Sequence, residues 1–414
     1  MTQQKHFILF VDDDPLILRG FQRSMNEYSE DWEVDFAASG KEALAKLSGC
    51  PYDAIVTDMH MPVMDGIQLL DTVSRAAPGV IRFVLSGNTS DVQILKSTHL
   101  VHQMIPKPCE MEKIHDIVER ACCLRDRLSA PQLLRIITGI RTLPSVPRLY
   151  NQLLEQLQSE TVNSQDVAKI IAQDAAMTAK ILQLVNSAFF GISENISSPQ
   201  KAVTILGLNT IKSLVLGIQV FTEYQGRHNL PVSVDGVWKH SLYVSSLAFS
   251  IARSLNLSSQ EREDARVSAV LHDIGLLLGF QIPGFFQSVR FHKNGHALIE
   301  SEYQFLGTSH AEMGGYLLGI WGLPHPIVEA VAFHPMAGKQ TEAKPGLATA
   351  LHVANGLINM CQIEKDKKYD PYLNLPHLQK LGLVGRLDEW ACAAHNLLSN
   401  TNEPDSLDLE RNRR

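Results

Sequence analysis

The chain predicts two unlike folds in series: a five-stranded, doubly wound parallel α/β sheet over residues 1–128, then an all-α helical domain from residue 129. Three observations carry this. Short apolar runs alternate with segments of helical periodicity through the first third. The chemically useful polar residues follow the C-terminal ends of those runs. Beyond residue 129 strand-like runs give out and amphipathic segments take over. At 414 residues the chain is also too long for one ordinary domain.

In order, residues 7–11 read as a buried strand, followed by Asp12-Asp13-Asp14-Pro15, with Pro15 suited to a first helical turn and Asp14 to an N-cap. The next helix carries Leu16, Leu18, Phe21 and Met25 at roughly helical spacing. Residues 33–37 are a strand and 40–47 a helix. Residues 54–57 are a strand ending at Asp58; 66–77 form a helix with Ile67, Leu70 and Val73 inward. Residues 81–85 are a strand ending at Ser86, 89–98 a helix, and 104–105 a short strand ending at Pro106-Lys107-Pro108. A long helix runs from Glu110 to Leu128, and no flexible linker separates it from the helical domain.

Asp12, Asp13, Asp58, Ser86 and Lys107 therefore share one edge of one sheet, the edge where parallel α/β sheets bind ligands. Clustered carboxylates repel unless a cation joins them, and an all-oxygen donor set suits Mg²⁺. A lysine and a hydroxyl beside that ion are what a transferred phosphoryl group requires, and an aspartate is a competent nucleophile. The segment resembles the receiver domain of two-component response regulators, a flavodoxin-like fold, through Val11-Asp12-Asp13, Thr57-Asp58 with Pro62 and Asp65-Gly66, Leu85-Ser86-Gly87 and Pro106-Lys107-Pro108. The resemblance implies that a cognate histidine kinase phosphorylates Asp58. It implies Mg²⁺ held by Asp12, Asp13, Asp58 and the backbone carbonyl of His60, with Ser86 and Lys107 on the phosphoryl oxygens. Met104 stands where many receivers carry an aromatic switch residue, and Cys109 where an aromatic follows Lys-Pro.

In the helical part, segments 152–158, 164–173, 178–186, 199–206, 210–221, 238–255, 261–278, 309–320 and 326–333 carry helical periodicity. His272-Asp273 falls inside the apolar 261–278 segment, where a charged carboxylate is costly without a partner or a metal. His240, His310 and His334 are candidates to converge on it, a donor set suited to Zn, Fe or Mn. The region resembles the HDOD output domain, a relative of HD phosphohydrolases, through Leu143-Pro144-Ser145-Val146-Pro147, Gln173-Asp174, Leu271-His272-Asp273-Ile274-Gly275, Ser309-His310 and Trp321-Gly322-Leu323-Pro324. The phosphohydrolase ligand pattern maps onto His240, His272, Asp273 and, at its last place, Asn355, a weaker ligand than the usual aspartate. The subgroup that cleaves cyclic di-GMP carries a lysine where this chain has Leu276 and a paired histidine where it has His334 alone.

The HDOD part is expected over 129–345, with a helical extension over 346–399 closing the bundle and a polar tail, 400–414, without structure. The formal charge of −7 and the lack of a reader motif argue against nucleic acid. The six cysteines show no framework spacing, and no leader or spanning segment is evident, which predicts a cytoplasmic protein with reduced thiols. The expectation is a response regulator whose phosphorylated receiver switches a non-catalytic HDOD scaffold toward an output protein partner, with room for a homodimer through the joint helix. The alternative is a phosphorylation-controlled, metal-dependent phosphohydrolase acting on a cyclic dinucleotide.

Overall fold

The computed structural model describes residues 5–28, 30–86, 100–126, 131–138, 140, 144–145, 147–158, 162–186, 195–212, 222–223, 232–289, 295–336, 344–363 and 373–399. The first part runs β1 (His6–Val11), α1 (Pro15–Ser24), β2 (Trp32–Ala37), α2 (Gly40–Gly49), β3 (Ala54–Asp58), α3 (Gly66–Ala76), β4 (Ile81–Ser86), β5 (Gln103–Pro106) and α4 (Met111–Asp126). The strands pair in parallel in the order β2-β1-β3-β4-β5. The helix expected over 89–98 lies outside the described residues.

Strand periodicity sorts the core. Ile8, Phe10, Val56, Phe83 and Leu85 point to one face, where Ile114, Val118 and Cys122 of α4 cover them. Leu9, Val11, Ile55 and Val84 point to the other, under Leu69, Leu70 and Val73 of α3. Each of those α3 side chains contributes about 1.5–3 kcal/mol by burial. On α3, Leu69 joins Leu70 and Val73 as fully buried, and Ile67 packs half-buried against the same cluster; Leu16 on α1 is 71% exposed. Helix α1 buries little because its contacts come from Phe21, which packs on Phe10, and from Met25 just beyond it.

The second part is helical: α5 (Pro131–Thr138), α6 (Pro147–Gln158), α7 (Ser164–Gln173), α8 (Ala175–Val185), α9 (Pro199–Leu206), α10 (Leu208–Lys212), α11 (Val234–Ser254), α12 (Ser259–Leu271), α13 (Ile274–Gly279), α14 (Phe285–Ser288), α15 (Gly295–Leu306), α16 (His310–Ile320), α17 (His325–Phe333), α18 (Leu347–Ile363), α19 (Leu375–Lys380) and α20 (Leu387–Ser399). Two residue pairs, β6 (Pro144–Ser145) and β7 (Thr222–Glu223), form a parallel bridge that the all-helical expectation did not contain. Helices α14 and α15 also fall where no helix was expected.

The most consequential difference lies at 261–278. It is two helices, α12 and α13, broken at His272-Asp273. The break follows from packing: a Cβ on Gly275 would overlap the backbone carbonyl of His310, so the start of α13 is pressed against the start of α16.

The two halves share a core. The cluster under α4 continues into Leu133, Ile137, Tyr316 and Leu317. At the N-terminal edge of the sheet, Arg82 is buried and donates to Leu100 O at 2.7 Å, Val80 O at 3.2 Å and Thr138 O at 2.8 Å. His102 accepts from the Arg82 backbone at 2.9 Å through Nδ1 and donates from Nε2 to Thr138 O at 2.8 Å. Burial, then the Arg82 charge, holds its pKa well below the ordinary histidine value, so the ring is a neutral bridge. No described helix is long and apolar enough to cross a membrane.

Candidate functional sites

Parallel register builds the first site. Val11 pairs with Thr57, Asp58 with Leu85, and Ser86 with Pro106, so the residues at the strand ends fall in one row. Asp12 is buried and Asp13, the next residue, exposed. The Lys107 ammonium donates to Asp12 Oδ2 at 2.8 Å and to Asp58 Oδ1. Burial works against this cation, but the two carboxylates outweigh it and raise the lysine pKa. Asp58 Oδ2 accepts the His60 backbone N–H at 2.8 Å. Asp14 instead caps α1, accepting from Leu16 N at 2.8 Å. Ser86 ends β4, its hydroxyl 3.8 Å from Met59 Sδ. Gly66 is required where it stands, because a Cβ there would overlap the Asp58 carbonyl. Met104 is buried and Cys109 half-buried. Chemically this is a compact carboxylate cluster whose own lysine balances part of its charge, at an edge open to a divalent cation and an incoming phosphoryl group.

The second site forms around the α12–α13 break. Asp273 Oδ2 lies 3.2 Å from His272 Nε2 and 3.9 Å from His240 Nε2. Its Oδ1 lies 3.3 Å from His310 Nε2 and 3.9 Å from His334 Nε2. Four imidazoles from α11, the break, α16 and the end of α17 thus surround one carboxylate. The other nitrogens are already committed. His272 Nδ1 donates to Ala269 O at 2.7 Å and His334 Nδ1 to Val331 O at 2.8 Å. His310 Nδ1 meets both Glu302 oxygens, at 2.9 and 2.8 Å. Burial disfavours a charged His310, yet Glu302 and Asp273 prevail and lift its pKa to about 10. Burial, then the neighbouring His272, moves His334 the other way. His240 is lowered by burial as well; its Nε2 reaches Asn355 Oδ1 at 3.0 Å.

One atom separates a self-satisfied His–Asp pair from a metal site. His272 is fully buried, its Nδ1–H is spent on a backbone carbonyl, and its Nε2 has no hydrogen-bond partner. That nitrogen stands 3.2 Å from Asp273 Oδ2 outside hydrogen-bond geometry, two donor atoms that a shared cation would join. The donor atoms of His240, His272 and Asp273, and those of Asp273, His310 and His334, lie within 4.8 Å of one another in each group. Carbonyl and carboxylate partners on the far ring nitrogens are the usual support of metal-binding histidines. The residues therefore fit a transition-metal ion. Sequence reading found every member but Glu302, which sits on α15, a helix whose mixed Ala-Leu-Ile-Glu-Ser-Glu pattern gave no clear signal.

Comparison with known proteins gives the frame. A model described as the response regulator receiver domain matches residues 8–119, and one described as the HDOD domain matches residues 143–336. A protein of Treponema pallidum (strain Nichols) is 24% identical over 249 residues, 56% of this chain and 45% of that one. A response regulator receiver protein of Anaeromyxobacter sp. (strain Fw109-5) is 33% identical over 113 residues, 26% of this chain and 45% of that one. The chain thus spans under half the length of these curated relatives. The crystal structure of the MmoQ response regulator from Methylococcus capsulatus str. Bath aligns with a TM-score of 0.49 and 23% identity, covering 60% of this chain and 98% of that one. Receiver domains usually bind Mg²⁺ at the phosphorylation site and take their phosphoryl group from a donor such as a histidine kinase. With its open parallel sheet followed by a helical bundle, the chain belongs to the response regulators that join a receiver domain to an HDOD output domain.

Proposed function

We propose that Asp58 accepts the phosphoryl group and that its modification switches the HDOD half as a signalling module. The observation that carries this is the Lys107 ammonium held between Asp12 and Asp58. A phosphoryl group on Asp58 adds negative charge and acceptor oxygens, and so redistributes the contacts of that lysine. Asp12, Asp13, Asp58 and the His60 carbonyl would hold Mg²⁺, which supplies charge neutralisation there; Ser86 and Lys107 would steady the phosphoryl oxygens. Lys107 follows β5 in the short connection to α4, so its movement reaches the helix that packs on the HDOD half.

In the HDOD half, His240, His272, Asp273, His310 and His334, with Asn355 oxygen beside them, would hold Fe, Mn or Zn. The buried His272 Nε2, without a hydrogen bond and 3.2 Å from Asp273 Oδ2, supports this. Asn355 is neutral and Leu276 stands in the lysine position of the cyclic-dinucleotide hydrolases, so the reading is of a binding site that signals.

The test is incubation of the full chain with a small-molecule phosphodonor and Mg²⁺, wild type beside Asp58→Ala. Hydroxylamine-labile label on wild type alone supports an acyl phosphate on Asp58. Equal label on Asp58→Ala would sink the assignment.

A further inference from the structure

We propose that α16 is the element through which the receiver's phosphorylation state sets the geometry of the HDOD histidine cluster; this rests on Asp58 being the phosphoryl acceptor. Two features of the same helix carry it. At its first residue, α16 supplies His310, whose Nε2 faces Asp273. Toward its other end it lies against the receiver: a Cβ on Gly319 would overlap Leu124 of α4, and one on Gly322, just past the helix, would come within 2.8 Å of the Gln103 side chain at the start of β5. The helix spans about 16 Å between these ends.

The rest of its surface leaves little slack. A Cβ on Gly314 would stand 3.0 Å from Ile274 and 3.2 Å from the Gly275 nitrogen, and one on Gly315 would stand 2.5 Å from Ala332. Backbone-close packing on α13 and α17 makes α16 move with the two segments that bear Asp273 and His334. A shift imposed at Gly319 is therefore delivered to three members of the cluster rather than absorbed by side-chain rotation. The interface also carries a mark of incomplete satisfaction. The Tyr316 hydroxyl is buried without a hydrogen-bond partner, within electrostatic reach of Arg125 and Cys122 of α4. A displaced α4 has a polar group to engage there, which gives the joint a second arrangement to occupy.

The test is hydrogen–deuterium exchange on the full chain with and without beryllofluoride in saturating Mg²⁺, for wild type, Leu124→Ala and Gly319→Ala. The expected result is a change of at least about fivefold in exchange over residues 309–316 and 271–276, as well as in α4. It should disappear from the HDOD segments in Leu124→Ala or Gly319→Ala while persisting in the receiver. A response confined to residues 5–126, or one that reaches residues 309–316 undiminished in both folded variants, overturns the proposal. Co²⁺ titration in the same Mg²⁺ background reads the cluster separately. Bound Co²⁺ whose affinity shifts with beryllofluoride supports coupling, and bound Co²⁺ with unchanged affinity overturns it. Absence of Co²⁺ binding removes the metal reading and leaves the exchange result to decide. A loss of all beryllofluoride response, including in α4, marks failure of the Asp58 reading instead.

Discussion

The two carboxylate sites balance charge in opposite ways. In the receiver, Asp12 and Asp58 sit at an open strand edge and share one flexible lysine, a group that can exchange partners when charge arrives. In the HDOD half, Asp273 is 8% exposed, enclosed by four histidines, three of whose far nitrogens are tied to backbone or to Glu302. The first arrangement suits a reaction that must be reversible. The second suits a bound cation that stays. The acids are similarly enclosed, with side chains 3% and 13% exposed for Asp12 and Asp58 and 12% for Asp273, so the freedom of the counter-charge separates the two arrangements.

Single substitutions separate the two sites. The largest effect is expected from Asp58→Ala, which should reduce phosphoryl incorporation to background while metal content of the HDOD half stays unchanged. Asp273→Ala should do the reverse: loss of bound transition metal, read by elemental analysis, with phosphorylation retained. Glu302→Gln removes the carboxylate behind His310 and should weaken metal affinity about 10–100-fold without abolishing it. If Glu302→Gln binds metal as tightly as wild type, the supporting role assigned to Glu302 is wrong.

The joint between the halves gives intermediate effects. Arg82→Leu leaves three carbonyls without their charged donor and should cost about 2–4 kcal/mol in denaturant unfolding. Lys180 on α8 is buried over the Trp321 ring, 5.0 Å from its centroid, and burial lowers its pKa from 10.5 to about 8. The unfolded chain therefore binds more protons than the folded one between those values. Stability should rise by up to about 3 kcal/mol as pH increases through that window, and Lys180→Met should remove the Lys180 part of that rise. The smallest effect belongs to local caps: Ser258→Ala removes the capping box of α12, where Ser258 and Glu261 bond reciprocally, at a cost of about 1 kcal/mol.

The receiver was legible because its signals are local. Each strand is a short apolar run, each functional residue follows a strand end, and parallel pairing brings such ends together whatever the exact register. Its gaps were also local: Leu16 keeps helical spacing but is 71% exposed, and Leu69, fully buried beside Leu70 and Val73, stands outside the i, i+3, i+6 spacing read for that helix. The helical half was read less completely. Periodicity found most helices, but it ran straight through His272-Asp273, because an apolar stretch interrupted by two polar residues looks like one buried helix. The break shows in the packed structure, where Gly275 lies close against the His310 backbone.

What spacing in the sequence established was the order of the five receiver strands, the shared edge of Asp12, Asp58, Ser86 and Lys107, and the candidacy of His240, His272, Asp273, His310 and His334. These depend on spacing within one element or on a rule of sheet topology. Tertiary structure alone decided that Lys107 bridges Asp12 and Asp58, that Asp273 splits its two oxygens between histidine pairs, that Glu302 stands behind His310, and that α4 lies on α16. Each of these is a contact between elements far apart in the chain. Such contacts are set by how whole faces pack, and no local pattern of residues encodes the resulting distance.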